Sequence, residues 1–326
     1  MPGALRRRRL LSRPCLTAGP PSPRRGGRET REPSVPDLVA IIVAHDSAHA
    51  LPDCLAALAR EGVPALVVDN ASRDGSAELA ERLGARVLRN PRNEGYGRAN
   101  NLGVRAAEDA GHVLLLNPDL ILQPGAASAL RAAVRAYPDA GLYAPRIVEP
   151  DGRFFFQAQS FLSPYLANAK GRRDRPEGDA CAPFLSGACL MAERAFLLGL
   201  GGFDEAIFLF YEDDDLCRRV ADAGRALVHV HGAVALHGRG RSSAPERGRV
   251  FRARWHLAWS KAYVARKYGL PDPSLATLLT NAPKAALALL ALRRAGWERY
   301  GGSAAGALAA LRGQGALERE GLDHQP

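Results

Sequence analysis

The sequence predicts an α/β fold in which helices flank a mostly parallel sheet, followed by a helical C-terminal extension. From Leu38 onward, short apolar runs alternate with segments of helical periodicity, which is the pattern of consecutive βα units. The composition, 47% hydrophobic and 24% charged over 326 residues, is that of a globular protein with enough chain for a large core. After Ser243 the apolar residues recur at helical spacing.

The predicted strands and helices follow in a regular order. Strands are expected at 38–43, 66–68, 87–88, 112–116, 141–143 and 227–230. Helices are expected around 51–58, 74–83, 100–110 and 126–135, and again after Glu212. Residues 150–183 contain prolines and a charged run, so a long loop is predicted there before order returns at 184–191.

The segment before the first strand, residues 1–36, holds most of the charge of the chain. Nine arginines against Glu29 and Glu32 give it +7 of the formal net charge of +10. Its apolar run is too short for a secretory signal, and its prolines and glycines disfavour a targeting helix. We expect a disordered basic arm, or residues that precede the true start of the protein. Because the rest of the chain carries only +3, its charge does not indicate a nucleic-acid partner.

Cysteine spacing and hydropathy indicate where in the cell the protein is located. Five cysteines without a CxxC pair indicate neither a disulfide framework nor a zinc site, which favours a reducing, cytoplasmic location. The longest strongly apolar stretch, 285–292, is too short to span a bilayer. The segment from Lys284 to Arg299 predicts a basic amphipathic helix, which lies either on the inner face of the plasma membrane or against the preceding domain.

Acidic residues stand at the ends of predicted strands. Asp69 and Asp119 each follow a parallel strand, so both are expected at the edge where ligands bind in open α/β sheets. Four further acids, Glu212 to Asp215, begin a predicted helix, where the helix dipole, a cation or a retained proton would relieve their repulsion. Each of these acids is also explained by a simple helix cap. No GxGxxG follows the first strand, and the remaining pattern suits a divalent cation held against a diphosphate.

Four segments, taken in order and spacing, resemble those of family 2 glycosyltransferases with the GT-A fold, in the rhamnosyltransferase-like branch. They are VVDNASRDGS from Val67, NEGYGRANN from Asn93, LNPD from Leu116, and GFDE from Gly202 running on to EDDDLC from Glu212. The resemblance implies a GT-A domain over residues 37–243 and a helical C-terminal extension over 244–326.

The activity that the resemblance implies is transfer of one sugar with inversion, in a metal-dependent reaction. The donor would be a nucleotide-diphosphate sugar, dTDP-rhamnose or a UDP-sugar, with rhamnose favoured. The acceptor would be a hydroxyl of a cell-envelope glycan or of a polyprenyl-diphosphate-linked intermediate.

The resemblance also assigns residues to the donor. Asp69, with Asn70 beside it, would contact the base and the ribose. Gly95, Arg98 and Asn100 belong to the loop and helix start that would line the diphosphate-sugar. A carboxylate accepting from a hydroxyl and an arginine meeting a phosphate are both chemically reasonable.

Metal and catalytic roles follow from the same comparison. Asp119 would bind Mg²⁺ or Mn²⁺, with Asn117 on the donor side in place of the first acid of the family's DxD motif. His237 matches a further ligand position, although a lone histidine is equally explained as structural. Asp213 would be the base that takes the proton of the acceptor hydroxyl, and Glu212 would orient the acceptor. Asp215 would support the helix start or bind an arginine.

Two rival functions stay open from the residues. A nucleotidyltransferase would also place acids at strand ends around a metal, but it would need a glycine-rich basic loop after the first strand, and residues 45–49 (HDSAH) are not one. A catalytically inactive sugar-binding or nucleic-acid-binding module is the other alternative. The presence of Asp69, Asp119 and Asp213 together argues against it.

Overall fold

The structure is a computed structural model that describes residues 38–156, 161–162, 176–238, 242–243 and 247–322. The basic arm expected at 1–36 and part of the loop expected at 150–183 lie outside these ranges.

Ten strands form one sheet in the described part of the chain. They are β1 Leu38–Ala44, β2 Ala65–Asn70, β3 Arg86–Asn90, β4 His112–Leu116, β5 Leu120–Leu122, β6 Ala140–Val148, β7 Phe154–Phe155, β8 Ala180–Cys181, β9 Cys189–Glu193 and β10 Ala226–His237. The helices of the described ranges are α1 Leu51–Arg60, α2 Ser76–Arg82, α3 Tyr96–Ala106, α4 Ala126–Ala136, α5 Arg194–Gly199, α6 Glu212–Asp222, α7 Arg249–Lys267, α8 Ser274–Leu290, α9 Arg294–Leu311 and α10 Ala316–Arg319.

The main path of the sheet is β3-β2-β1-β4-β9-β6-β10-β5, with β7 on β6 and β8 on β10. Six strands of this path run in one direction, and only β9 and β5 are reversed. The predicted mostly parallel sheet is therefore confirmed. Ala44 of β1 pairs with Asp69 of β2, and Ile42 pairs with Leu116 of β4, so these neighbouring strands end at the same edge.

The core lies on both faces of the sheet. Strand β1 is buried along its whole length, with Leu38, Ala40, Ile42 and Ala44 in one apolar cluster and Val39, Ile41 and Val43 in the other. Helices α1, α2 and α4 cover the first face, and α3, α5 and α6 cover the second. A continuous apolar run such as 38–43 is the expected sequence of a strand that is covered on both sides.

The C-terminal helices pack against the same body. Trp255 and Trp259 of α7 share an apolar cluster with Phe208 and with alanines of α9. The backbones of α7 and α9 approach closely at Gly306, where a Cβ atom would lie 2.2 Å from the carbonyl oxygen of Trp255. Any side chain at Gly306 would force the two helices apart.

The prediction of a single amphipathic helix from Lys284 to Arg299 is wrong. Helix α8 ends at Leu290, Leu292 has a positive φ of 55°, and α9 begins at Arg294. The segment contains good helix formers, but a Cβ atom at Gly296 would lie 2.9 Å from that of Ala288, so the two helices fold tightly onto each other. Tertiary packing therefore overrides local propensity and produces a helical hairpin. Within the described ranges, none of the helices combines the length and the hydropathy that a membrane span requires.

Several predicted elements also have different limits in the structure, among them the strand expected at 141–143, which runs from Ala140 to Val148. The helix expected at 100–110 begins earlier, at Tyr96, and ends at Ala106. The strand expected at 227–230 continues through an irregularity between Val230 and Val234 to His237.

Candidate functional site

The candidate site lies where β1, β2 and β4 end. Asp69, in the next-to-last position of β2, is buried, and its Oδ2 accepts a hydrogen bond from the Ser72 N–H at 3.3 Å. Its Oδ1 is buried and has no hydrogen-bond partner among the residues that the structure describes. Because an unsatisfied buried acceptor costs free energy, Asp69 offers this oxygen to a donor group of a ligand.

The loops that follow β1 and β2 are bonded to each other. Asp46 has a φ of 51°, donates its N–H to the Ser72 hydroxyl at 3.0 Å and accepts from the Arg73 N–H at 2.7 Å. Asp74 accepts from the Ala48 N–H at 2.8 Å. Burial alone would raise the pKa of Asp74, but hydrogen bonds from Ser76 and from backbone N–H groups outweigh it and lower the pKa. Asp46 and Ala48, directly after β1, therefore brace the turn that follows Asp69.

Asn70 organises the loop that follows β3. Its amide nitrogen donates to Asn93 Oδ1 at 2.9 Å and to the Gly95 carbonyl at 3.2 Å. Its amide oxygen accepts from Asn90 Nδ2 and from the Glu94 N–H, both at 3.1 Å. These four bonds use the two donors and two acceptor positions of the amide. The side chain of Asn70 thus holds the loop in place, and a direct contact with a donor stays a prediction.

Gly95 permits a close approach between this loop and the segment before α6. It has a φ of 86°, and a Cβ atom there would lie 2.3 Å from the Phe208 carbonyl oxygen. The same carbonyl accepts a hydrogen bond from the Tyr96 N–H at 3.1 Å. Only glycine combines this backbone conformation with this contact.

Arg98 and Asn100 of α3 point to protein partners. Arg98 is largely buried and donates from Nε to the Glu205 carbonyl at 3.0 Å. Asn100 is fully buried and donates to the Tyr96 carbonyl at 3.0 Å, while its Oδ1 has no partner in the described ranges. Contacts of these two residues with a diphosphate-sugar stay predictions. In the structure Arg98 holds Glu205, at the end of the GFDE segment.

The expected metal ligands Asp119 and His237 lie together. His237 is the last residue of β10 and pairs with Leu120 of β5, which brings its Nε2 to 3.5 Å from Asp119 Oδ1. The Ser242 hydroxyl donates to the same Asp119 oxygen at 2.6 Å. His237 Nε2 is buried and forms no hydrogen bond to any described residue.

A carboxylate and an imidazole nitrogen fit Mg²⁺ or Mn²⁺ as two of its ligands. Over the described residues, no group of three or more His, Cys, Asp or Glu side chains could hold a metal ion. The protein therefore offers two ligand groups at this point.

Asn117 and Asp213 are bonded to consecutive residues of the chain before β9. The Asn117 N–H donates to the Ala188 carbonyl at 3.0 Å, and the Gly187 N–H donates to Asp213 Oδ2, also at 3.0 Å. The Tyr96 hydroxyl donates to the Gly187 carbonyl at 2.7 Å. The Gly187–Ala188 dipeptide therefore joins the LNPD segment to the acidic start of α6, a link that no sequence motif signalled.

The acidic start of α6 follows two residues in a strained conformation. Phe210 and Tyr211 have φ values of 67° and 65°, in the left-handed region that bulky residues rarely adopt. Such residues cost about 1–3 kcal/mol each and persist only where the surrounding structure imposes them. Here they direct the chain into the first turn of α6, where Glu212 is buried and Asp213 is half-buried.

The carboxyl groups of Glu212 and Asp213 have raised pKa values. Burial raises the pKa of Asp213, and N–H groups from Gly187 and Asp214 oppose that rise. Burial raises the pKa of Glu212 well above its usual range, and the charges of Asp213 and Asp214 add to it. Glu212 Oε2 has no hydrogen-bond partner in the described part of the chain. Of the two carboxyl groups, Glu212 therefore holds its proton more readily than Asp213.

Asp215 belongs to an ion-pair network that ties α7 to α6. It is fully buried, accepts from Arg219 Nε at 2.8 Å and lies 2.6 Å from Lys267 Nζ. The Tyr268 hydroxyl donates to it at 2.7 Å, and Lys267 also contacts Asp204 at 2.6 Å. The expectation that Asp215 binds an arginine agrees with these contacts. The contribution of Lys267 and Tyr268, far along the chain, was missed.

Comparison with known proteins places the chain in a family. The model of glycosyl transferase family 2 matches residues 39–198. The N-acetylglucosaminyl-diphospho-decaprenol L-rhamnosyltransferase of Mycobacterium tuberculosis (strain ATCC 25618 / H37Rv) is 32% identical over 214 residues, covering 56% of this chain and 68% of that protein. Rhamnosyltransferase WbbL of Escherichia coli (strain K12) is 26% identical over 190 residues, covering 53% of this chain and 71% of that protein.

A solved structure shows the same fold. The mannosyltransferase PcManGT from Pyrobaculum calidifontis, in complex with GDP-Man and Mn²⁺, matches with a TM-score of 0.51 at 21% identity, over 85% of this chain and 87% of that one. The expected GT-A fold, with its helical C-terminal region, is thereby confirmed. The chain belongs to glycosyl transferase family 2 and is a glycosyltransferase related to rhamnosyltransferases.

Proposed function

We propose that this glycosyltransferase transfers a single sugar, rhamnose in preference, with inversion and with the help of Mg²⁺ or Mn²⁺. The observation that carries the proposal is the bridge at Gly187–Ala188. It brings the carboxylate of Asp213 and the segment of Asp119 to one place, as a reaction between a metal-bound donor and an activated hydroxyl requires.

The donor is proposed to be a nucleotide-diphosphate sugar, dTDP-rhamnose or a UDP-sugar. The unpartnered Oδ1 of Asp69 is suited to accept a hydrogen bond from a base N–H or a ribose hydroxyl. The names of the M. tuberculosis and E. coli relatives support rhamnose as the sugar.

Asp119 and His237 would hold the metal ion. When bound, the ion would neutralise charge on the diphosphate as it leaves. The carboxylate, the unpartnered imidazole nitrogen and the Mn²⁺ of the PcManGT complex support this assignment.

Asp213 is proposed as the catalytic base. The acceptor oxygen attacks the anomeric carbon, the bond from that carbon to the diphosphate oxygen breaks, and the hydroxyl proton passes to the Asp213 carboxylate. Attack opposite the leaving group inverts the anomeric carbon. The Gly187 N–H fixes the orientation of this carboxylate, and a protonated Glu212 beside it could donate a hydrogen bond to the acceptor.

The acceptor is proposed to be a hydroxyl of a polyprenyl-diphosphate-linked or other cell-envelope glycan, used on the cytoplasmic side of the membrane. The decaprenol-linked substrate in the name of the M. tuberculosis relative supports this class. A nucleotidyltransferase finds no support, because residues 45–48 brace a neighbouring turn and provide no glycine-rich phosphate loop.

A screen of nucleotide sugars by thermal shift, with and without Mn²⁺, tests the proposal. A bound donor raises the midpoint of unfolding as its concentration exceeds Kd. We expect dTDP-rhamnose to give the largest rise and Mn²⁺ to increase it. If no nucleotide sugar raises the midpoint in the presence of Mn²⁺ or Mg²⁺, the proposal is wrong.

A further inference from the structure

The helical hairpin of α8 and α9 carries an exposed apolar surface. We call this surface the hairpin patch. It consists of six leucines of α8 and of the turn that follows it: Leu275, Leu279, Leu287, Leu289, Leu290 and Leu292. Leu290 is 82% exposed and Leu292 is 90% exposed, so the most exposed part of the patch is at the turn. Six leucines that are each more than half exposed, along one helix and the turn that follows it, form the kind of apolar surface that marks a site of association.

The fold of the hairpin explains why these side chains face outward. Ala285 and Ala288 are the buried residues on this part of α8, and Ala288 lies against Gly296 of α9. Leu275, Leu279, Leu289 and Leu290 lie on a different side of the helix, given 3.6 residues per turn. The apolar stripe is therefore additional to the packing that holds the hairpin together.

The charges within the segment that carries the patch are positive, and the acids at its two ends, Asp272 and Glu298, are each paired with an arginine. From residue 273 to 297 the sequence has no Asp or Glu, while Lys284, Arg293 and Arg294 are all exposed. The next acid, Glu298, is paired with Arg294 at 2.7 Å. Lys284 and Arg299 both lie over the ring of Tyr300, which keeps two cations on the same part of the hairpin.

We propose that the hairpin patch docks the protein on an anionic lipid bilayer, with the leucines at the turn inserted among the headgroups and the cations paired with lipid phosphates. Apolar side chains flanked by Lys and Arg are the combination that interfacial membrane segments use. Trp297 in the first turn of α9 is partly exposed and suits the same interface. A second copy of the chain fits this surface less well, because a symmetric contact would place Arg293 and Arg294 near their own copies.

The inference goes beyond the proposed transfer reaction, because docking is measured without donor or acceptor. Full-length protein is mixed with vesicles of phosphatidylcholine alone, or with phosphatidylglycerol added, and bound protein is separated by sedimentation. We expect binding to the anionic vesicles only, and its loss near 1 M salt, where the Debye length is about 3 Å.

Two double variants divide the apolar and charged contributions. The first double variant combines Leu290→Gln with Leu292→Gln, and the second combines Arg293→Gln with Arg294→Gln. We expect each of them to weaken binding to anionic vesicles at least about tenfold, which corresponds to about 1.4 kcal/mol. The matched control is Leu83→Gln with Leu198→Gln, which replaces exposed leucines elsewhere and is expected to bind like the wild type. Thermal midpoints confirm that each variant is folded.

Three results would overturn the inference. They are equal binding of the wild type to neutral and anionic vesicles, unchanged binding of the Leu290 and Leu292 variant, and a wild-type dimer that this variant converts to a monomer in sedimentation velocity. The last result would assign the patch to a second copy of the chain.

Discussion

The Gly187 N–H donates a hydrogen bond to Asp213 Oδ2 at 3.0 Å. Asp213 is half-buried at the start of α6, where desolvation raises the pKa of its carboxyl group. The Gly187 bond favours the ionised form and fixes the direction in which the carboxylate presents its other lone pairs. A base that must accept a proton from a substrate hydroxyl needs both properties.

Replacing the amide of Asn70 should loosen the loop before α3. Asn70→Ala removes four hydrogen bonds, among them the one that the Glu94 N–H donates, and leaves Asn93 Oδ1 and the Gly95 carbonyl with one hydrogen bond each. We expect a loss of about 1–3 kcal/mol in the free energy of unfolding, measured by urea denaturation. Asn281→Ala, on the exposed part of α8, is the control and should cost much less. Equal stability of the Asn70 variant and the wild type would disprove its role as the organiser of the loop.

Changing either proposed metal ligand should reduce the effect of the metal ion on the affinity for the donor. In Asp119→Asn and His237→Gln, we expect the increase in donor affinity that Mn²⁺ causes to fall at least about tenfold, because one of two protein ligands is weakened or lost. Isothermal titration of donor with and without Mn²⁺ measures this difference. His49→Gln, an exposed histidine, serves as the control. An unchanged Mn²⁺ effect in His237→Gln would leave His237 with a structural role only.

Glu212→Gln should make the stability of the protein less sensitive to pH. Burial and the neighbouring acids raise the pKa of Glu212 in the folded state above its unfolded value, so the folded protein retains a proton that the unfolded chain releases. Stability is therefore lost as the pH rises from about 4.5 through the folded-state pKa.

The neutral amide of Glu212→Gln cannot ionise and avoids this loss. The thermal midpoint of the variant, relative to the wild type, should be higher at about pH 8 than at about pH 5, by roughly 2 °C or more. A difference that is the same at both pH values would show that Glu212 does not titrate with a raised pKa.

Asp215→Asn should weaken the attachment of α7 to α6. The variant leaves Arg219 and Lys267 without their buried counterion. Because these two cations retain some exposure, we expect a cost of about 3 kcal/mol, the lower end of the range for a broken buried pair. Asp222→Asn removes a pair with Arg218 at 2.8 Å in which the aspartate side chain is 47% exposed, and it should cost about 0.5 kcal/mol. Similar costs for the two variants would contradict the structural role of Asp215.

The sequence was sufficient to predict the parts of the site that depend on local pattern. The apolar runs 66–68 and 112–116 predicted two parallel strands, and the expectation that Asp69 and Asp119 share one edge of the sheet followed from them. The resemblance brought His237 to Asp119 as a candidate ligand, and the two side chains lie 3.5 Å apart. Periodicity and motif order are informative here because the residues involved follow strand ends directly.

What could not be predicted depends on contacts between distant segments. The reversal of β5 and β9 is set by pairing with β10 and β4 rather than by residue pattern. The break after Leu290 has no Gly or Pro signal and results from packing of α8 on α9. Lys267 pairs with Asp215 although the two are more than 50 positions apart in the sequence. Asn70, which the family resemblance assigns to donor binding, instead forms hydrogen bonds with its amide to the loop that follows β3.

The central claim is that Asp213 is the base of the transfer reaction, and Asp213→Asn tests it most directly. The amide keeps the size of the side chain and an oxygen for the Gly187 N–H, but it cannot accept the proton. In a purified assay we expect transfer to fall at least about 100-fold while the Mn²⁺-dependent affinity for the donor is retained, with Asp222→Asn as active as the wild type. Normal turnover by Asp213→Asn would contradict the account.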